Sequence, residues 1–165
     1  MKEDMDALSQ RVQESFLRLS TTAANLNSVS DKLNASISNL EAALRKLGLG
    51  ITSWVPFTSS TSQDGLSYWF EEIGYAKVNG RWALAIRTRS GHEAAESDDI
   101  EIWPFNEAPR HLRVRAVKKI PELIDKLNKD AAEIAEQVVA RANEVHFLGA
   151  AIMAVSEEKS EMRKK

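Results

Sequence analysis

Cysteine is absent from the 165 residues. That excludes disulfides, thiolate metal sites and cysteine nucleophiles. A chain without cysteine fits the cytoplasm, which is the location expected. An excess of one charge is also lacking. With 22 Lys and Arg against 24 Asp and Glu, the formal net charge is -2, so no global field draws the chain to nucleic acid or to an acidic surface. Long hydrophobic runs are missing too. The longest, "VHFLGAAIMAV" over 145–155, makes about 16 Å of helix, roughly half of what a bilayer core needs, and no membrane span is expected from it. The opening "MKEDMDALSQ" has no apolar core and is not read as a secretory signal. What remains, 43% hydrophobic and 28% charged, is the composition of a soluble folded domain of ordinary size.

Two stretches carry seven-residue periodicity, the mark of a coiled-coil seam. In the first, over residues 5–47, Val12, Leu19, Leu26, Leu33, Leu40 and Leu47 recur every seven positions. Phe16, Ala23, Ile37 and Leu44 follow four places after members of that row, and Leu8, Val29 and Ala43 widen it. Gly48 and Gly50 stand where a left-handed cap should end the helix. Between the leucines lie ten Asn, Ser and Thr residues over 21–39. At roughly 0.5 kcal/mol each against alanine, they cost about 5 kcal/mol of helix propensity. Packing against a partner, not local preference, must therefore hold this helix, and a peptide of residues 1–50 is expected to be largely unfolded alone.

The second stretch covers 121–160. Ile124, Ala131, Val138, Val145 and Ile152 form one row; Leu127, Ile134, Leu148, Val155 and Met162 form the other. Arg141 stands in the second row where a hydrophobe is expected. A charge there either sets register and partner choice or lays its stem along the seam with its head in water. A further row of small or apolar residues, including Ala135, Val139, Ala142, His146, Gly149 and Met153, makes the stripe wider than one neighbour needs. The arms match in length, at about 40 residues and roughly 60 Å each. They are expected to fold back as an antiparallel pair, with a head at one end and both termini at the other.

The middle reads as strands. In "YAKVNGRWAL" over 75–84, Asn79-Gly80 predicts a tight two-residue hairpin. It would set Ile73, Tyr75, Trp82, Leu84 and Ile86 on one core face. Gly74, Ala76, Ala83 and Ala85 would lie on the other, bare enough for a helix or sheet to approach. Because a lone hairpin is unstable, "ITSWVPF" (51–57), "LSYWFEE" (66–72) and "DIEIW" (99–103) should supply further strands, three to five in all and antiparallel. Loops are expected over 59–65 and 89–99. A helix is expected over 107–119, capped by Asn106, with Pro109 in its first turn and a break or kink at Ile120, before Pro121 and the long arm; a strand over 111–117 is the rival.

Candidate chemistry is sparse. Arg110, His111, Arg113, Arg115, Lys118 and Lys119 form a basic run that could grip phosphates, face solvent, or pair with the acidic loop of Glu93, Glu96, Asp98, Asp99 and Glu101. His92, His111 and His146 have no second ligand or triad partner at suitable spacing; His146 reads first as a hydrogen-bonded or exposed histidine, with an interface pH sensor as the rival. Glu71 and Glu72 would point to opposite faces of a strand, with at least one towards solvent, so they do not make an acid–base pair. The aromatics Trp54, Phe57, Tyr68, Trp69, Phe70, Trp82, Trp103 and Phe105 read as a small core or a peptide pocket. The "NAS" at 34–36 matches a glycosylation pattern but falls inside the heptads.

The expected fold class is therefore α+β, with two long antiparallel coiled-coil helices flanking a small antiparallel β head. Residues 1–50 would be the first coiled-coil helix, 51–105 the head, and 106–165 the connecting and second long helix, all in one structural unit. The function expected is that of a non-enzymatic interaction protein, with no cofactor and no metal. It would self-associate, most simply as a homodimer, through Leu19, Leu26, Leu33, Leu40, Ile134, Val138, Val145 and Ile152. Trp82, Arg110, Arg113, Arg115 and Arg141 would meet a second protein. The rivals are a nucleic-acid-associated regulator using 110–119, a peripheral membrane or pore-forming helical protein using 145–155, and, last, a hydrolytic enzyme.

Overall fold

Helix α1 (Lys2–Leu47) leads into a four-stranded antiparallel sheet, β1 (Ser53–Thr61), β2 (Ser67–Val78), β3 (Arg81–His92) and β4 (Asp99–Pro104), in the simple order β1-β2-β3-β4. A short helix α2 (Arg110–Ala116), flanked by 3-10 turns at Phe105–Glu107 and Val117–Lys119, precedes the second long helix α3 (Ile120–Met162). This is a computed structural model describing residues 2–94 and 97–162, with side chains over 5–94 and 97–155. Glu96 and the side chain of Met162 lie outside the described residues. The chain is thus α+β, with two long helices and one antiparallel sheet.

Strands β2 and β3 meet at Asn79 (φ 50°) and Gly80 (φ 79°), with Val78 opposite Arg81, Tyr75 opposite Leu84 and Ile73 opposite Ile86. The positive φ values suit a tight connection whose twist matches the strands it joins. The helices bury the face carrying Ile73, Tyr75, Leu84 and Ile86, together with Val55 of β1. Onto it α1 sends Ile37 and Leu44, α2 sends Leu112 and Ala116, and α3 sends Leu123 and Leu127, with Phe105 and Ala108 from the link.

Strand β4 is shorter than β3, and its pairing stops where Pro104 faces Ala85. Beyond that point α1 takes over. Glu41 accepts the Leu84 N–H at 3.1 Å, and Arg45 donates to the Trp82 carbonyl at 3.4 Å. A bare strand edge is a liability, and here α1 side chains complete it. Burial holds the Glu41 carboxyl above the usual range, against the lowering pull of the Leu84 N–H and of Arg45.

The link from β4 to α3 departs from expectation in its details. The helix reading of 111–117 holds, since α2 is helical from Arg110 to Ala116. Asn106, however, caps nothing. It lies within a 3-10 turn, and its amide donates to the Asn34 carbonyl at 3.2 Å and the Ser38 hydroxyl at 3.1 Å. Nor is there a break at Ile120, which is helical (φ -58°, ψ -45°). The irregularity is the 3-10 turn at 117–119, and Pro121 sits in the first turn of α3, where its missing N–H costs nothing.

Among the described residues the long helices do not form the expected intrachain stem. Helix α1 seats on the β3 side of the sheet, whereas α3 seats on the β1 side, where Ser53 donates to Asp130. Between them the link carries the chain back across the sheet, with Arg115 reaching Glu71 of β2 and Thr58 of β1. The second arm therefore begins away from the first. Every described side chain over 5–29 and over 132–155 is exposed.

Candidate functional site

The heptad rows persist, but only their head-proximal parts are covered. On α1, Ile37 and Leu44 are buried and Leu33 and Leu40 are partly buried against the core, while Leu19 and Leu26 stand exposed with Val12 and Phe16 on the same stripe. On α3 the covered register differs from the one expected. Leu123 and Leu127 are buried, but Ile124 is 41% exposed. Farther along, Ile134, Val138, Val145 and Ile152 are all exposed, with Val139, Phe147 and Met153 on other faces of the helix. Each exposed seam spans about 25 residues, roughly 37 Å of helix. So the eight seam residues divide: Leu33 and Leu40 belong to the head, and the other six lie on the arms.

The link and α1 are joined through polar side chains. Arg110 donates to the Asn27 side-chain oxygen at 3.1 Å and Arg113 to that of Asn34 at 2.6 Å. Arg115 pairs with Glu71 at 2.7 Å, with its guanidinium 5.8 Å from the Phe57 ring centre. Three of the residues expected to meet a partner or a phosphate thus contact the protein itself, and Arg113 is buried. Lys119 pairs with Glu122, whereas His111 and Lys118 stand exposed. Trp82 is half-buried, stacked on Tyr75 at 5.5 Å between ring centres. Arg141 is exposed on α3 and bonds Glu144 one turn on, at 2.7 and 2.9 Å.

Glu71 and Glu72 do lie on opposite faces, but neither faces solvent, contrary to expectation; both are buried. Glu72 pairs with Arg87 and lies 3.8 Å from Arg89. This pair opens a ladder that the reading of the sequence missed. The Arg87 guanidinium lies 4.1 Å from the Trp54 ring centre, and that of Arg89 lies 4.9 Å from Phe70 and 5.6 Å from Tyr68. Asp98 accepts from both Tyr68 and Arg89. The indole of Trp54 lies so close over Gly74 that a Cβ there would overlap it. The face expected to be bare is thus dressed by the sheet's own side chains. The signal was available, because extending the register from Asn79-Gly80 sets Glu72 opposite Arg87 and Phe70 opposite Arg89.

The aromatics therefore make no single cluster. Phe105 is buried in the core; Phe57, Trp82 and Trp103 pack partly against it; Trp54, Tyr68 and Phe70 sit under arginines on the opposite face. His92 accepts the Ala94 N–H at 3.1 Å, and His146 is exposed with its ring 6.2 Å from that of Phe147. Among the described residues no group of three His, Asp or Glu could hold a metal ion. The helix continuing to Val155 contains an 18-residue window long and apolar enough, by length and composition, to cross a membrane, with none of it buried. The expectation of no membrane span rested on the shorter 145–155 run, and the window extends beyond it.

Comparison with known proteins returns no matching family model, no similar curated protein and no similar solved structure.

Proposed function

We propose that this is a non-enzymatic interaction protein that self-associates through its two helical arms as coiled coils and displays the β head to a partner protein. One observation carries the reading. Both heptad stripes run outward from buried segments beside the sheet into arms whose apolar rows are exposed. Exposed apolar area of this extent marks an interaction surface, and a helix with a poor-propensity sequence requires a neighbour. The direct test is the mass of the full chain by light scattering at micromolar concentration. A multiple of the 18.4 kDa chain is expected, and a monomer at high micromolar concentration would overturn the reading.

A second reading is favoured by the apolar window of α3, which could instead lie in or on a bilayer. A cylinder apolar on most faces is matched by lipid as well as by a bundle. Its charged Arg141 and Glu144, midway along the exposed arm, weigh against depth in hydrocarbon. Co-sedimentation of the full chain with vesicles separates the two.

A further inference from the structure

Resting on that reading of self-association, we infer that the exposed arm of α3 pairs antiparallel with the same arm of a second copy, about a two-fold axis at position 143. The pairing is set by Arg141 and Glu144. In an antiparallel heptad pair, each position of one row faces a position of the other row on the partner. Centring the axis at 143 pairs Ile134 with Ile152, Val138 with Leu148 and Arg141 with Val145, each twice. This register alone centres on the exposed 132–155 stretch, and so leaves neither end of the seam overhanging. It is isologous and closes at two copies.

The charges select the same register. Arg141 occupies a seam position and Glu144 flanks the seam on the same side of the helix. With the axis at 143, the Glu144 of the second copy falls within one residue's rise of Arg141, on the side to which that arginine points. The central layer then holds two guanidinium and two carboxylate groups in alternation. In the single chain these groups bond each other at 2.7 Å while exposed, which contributes little. Across the axis they would exclude registers that bury Arg141 with no carboxylate of the second copy beside it. Ala142 beside them lets the helices approach. The seam residues are about half exposed or more, and covering them would remove roughly 600 Å² per copy, about 1,200 Å² in the pair, the lower bound of a stable specific interface.

The absence of cysteine makes the test clean. Ala142→Cys lies beside its own symmetry mate in this pairing and should cross-link to a covalent dimer under mild oxidation. Asn143→Cys, on the outer face, should not. Arg141→Glu and Glu144→Arg should each raise the dissociation constant by roughly 100-fold, and the double exchange Arg141→Glu/Glu144→Arg should recover it to within about 10-fold. Circular dichroism and tryptophan emission verify that the head of each variant is folded. A parent chain that oligomerises with no Ala142→Cys cross-link and no effect of charge exchange would overturn this pairing and leave self-association standing, through α1 or between α1 and α3. A monomer that co-sediments with vesicles would overturn both.

Discussion

Replacing Arg115 with methionine isolates the strongest polar contact between the link and the sheet. The methionine keeps most of the stem but removes the guanidinium, which bonds Glu71 at 2.7 Å and lies 5.8 Å from the Phe57 ring centre. The side chain of Glu71 is 3% exposed, and its second oxygen is buried with no hydrogen-bond partner. Arg115→Met therefore leaves a buried carboxylate without its cation. Such losses cost about 3–5 kcal/mol when the pair is fully buried. Arg115 is 45% exposed, so water screens part of the effect and about 2–3 kcal/mol is expected. For a chain of this size that lowers Tm by roughly 4–10 °C. Urea unfolding followed by tryptophan emission measures it, since Trp54, Trp69, Trp82 and Trp103 all lie in the sheet. The double variant Glu71→Leu/Arg115→Met should recover to within about 1 kcal/mol of the parent, because an apolar pair has no charge to desolvate. A single variant within about 0.5 kcal/mol of the parent, or a double variant no better than the single, would show that Arg115 does not neutralise a buried Glu71 carboxylate.

Other substitutions test separate joints. Asn34→Ala improves helix propensity by about 0.6 kcal/mol but strips the buried Arg113 of its 2.6 Å partner, and a net loss of about 1–2 kcal/mol in urea unfolding is expected. Gly74→Ala should displace the Trp54 indole, costing about 1–3 kcal/mol and shifting its emission. Glu41→Gln has a definite pH sign. Burial raises the folded carboxyl above its unfolded value, so its stabilising contribution is present below the ordinary Glu range and lost as pH rises through the folded value. The variant should accordingly gain stability relative to the parent at neutral pH, and the gain should vanish in acid. Ser53→Ala has the opposite sign. The Ser53 hydroxyl, then Lys126, lower the Asp130 carboxyl, so the destabilisation should be full at neutral pH and fade as pH falls through the lowered value.

Much of the head was legible because β-structure here is written locally. Asn79-Gly80 fixes a register, and alternation assigns every residue of β2 and β3 to a face. The same register, carried farther, contained the Glu72–Arg87 pair, whose burial could not be read from types alone. The arms were legible as helices but not in their placement. Heptads state which face is apolar; what covers that face depends on where the chain turns, and the path of residues 105–119 across the sheet carries no periodic signal. The polar residues of α1 show the same division. Asn27, Asn34 and Ser38 dock the link, a long-range use. Thr21, Ser30 and Ser36 bond carbonyls four residues back, the local competition that lowers their helix propensity. On α3, burial of Leu123 rather than Ile124 follows from packing on a sheet, which takes a helix face different from a two-stranded seam.

In the proposed function the exposed arms are held by another copy of the chain. The most direct test is a dilution series of the full chain in which sedimentation mass and helical circular dichroism are measured on the same samples. Mass and helicity are expected to fall together with one midpoint, since the α1 arm, weakened by its Asn, Ser and Thr residues, loses its helix when the partner leaves. A chain that sediments as a monomer at every concentration with its helicity undiminished would rule out self-association through the arms.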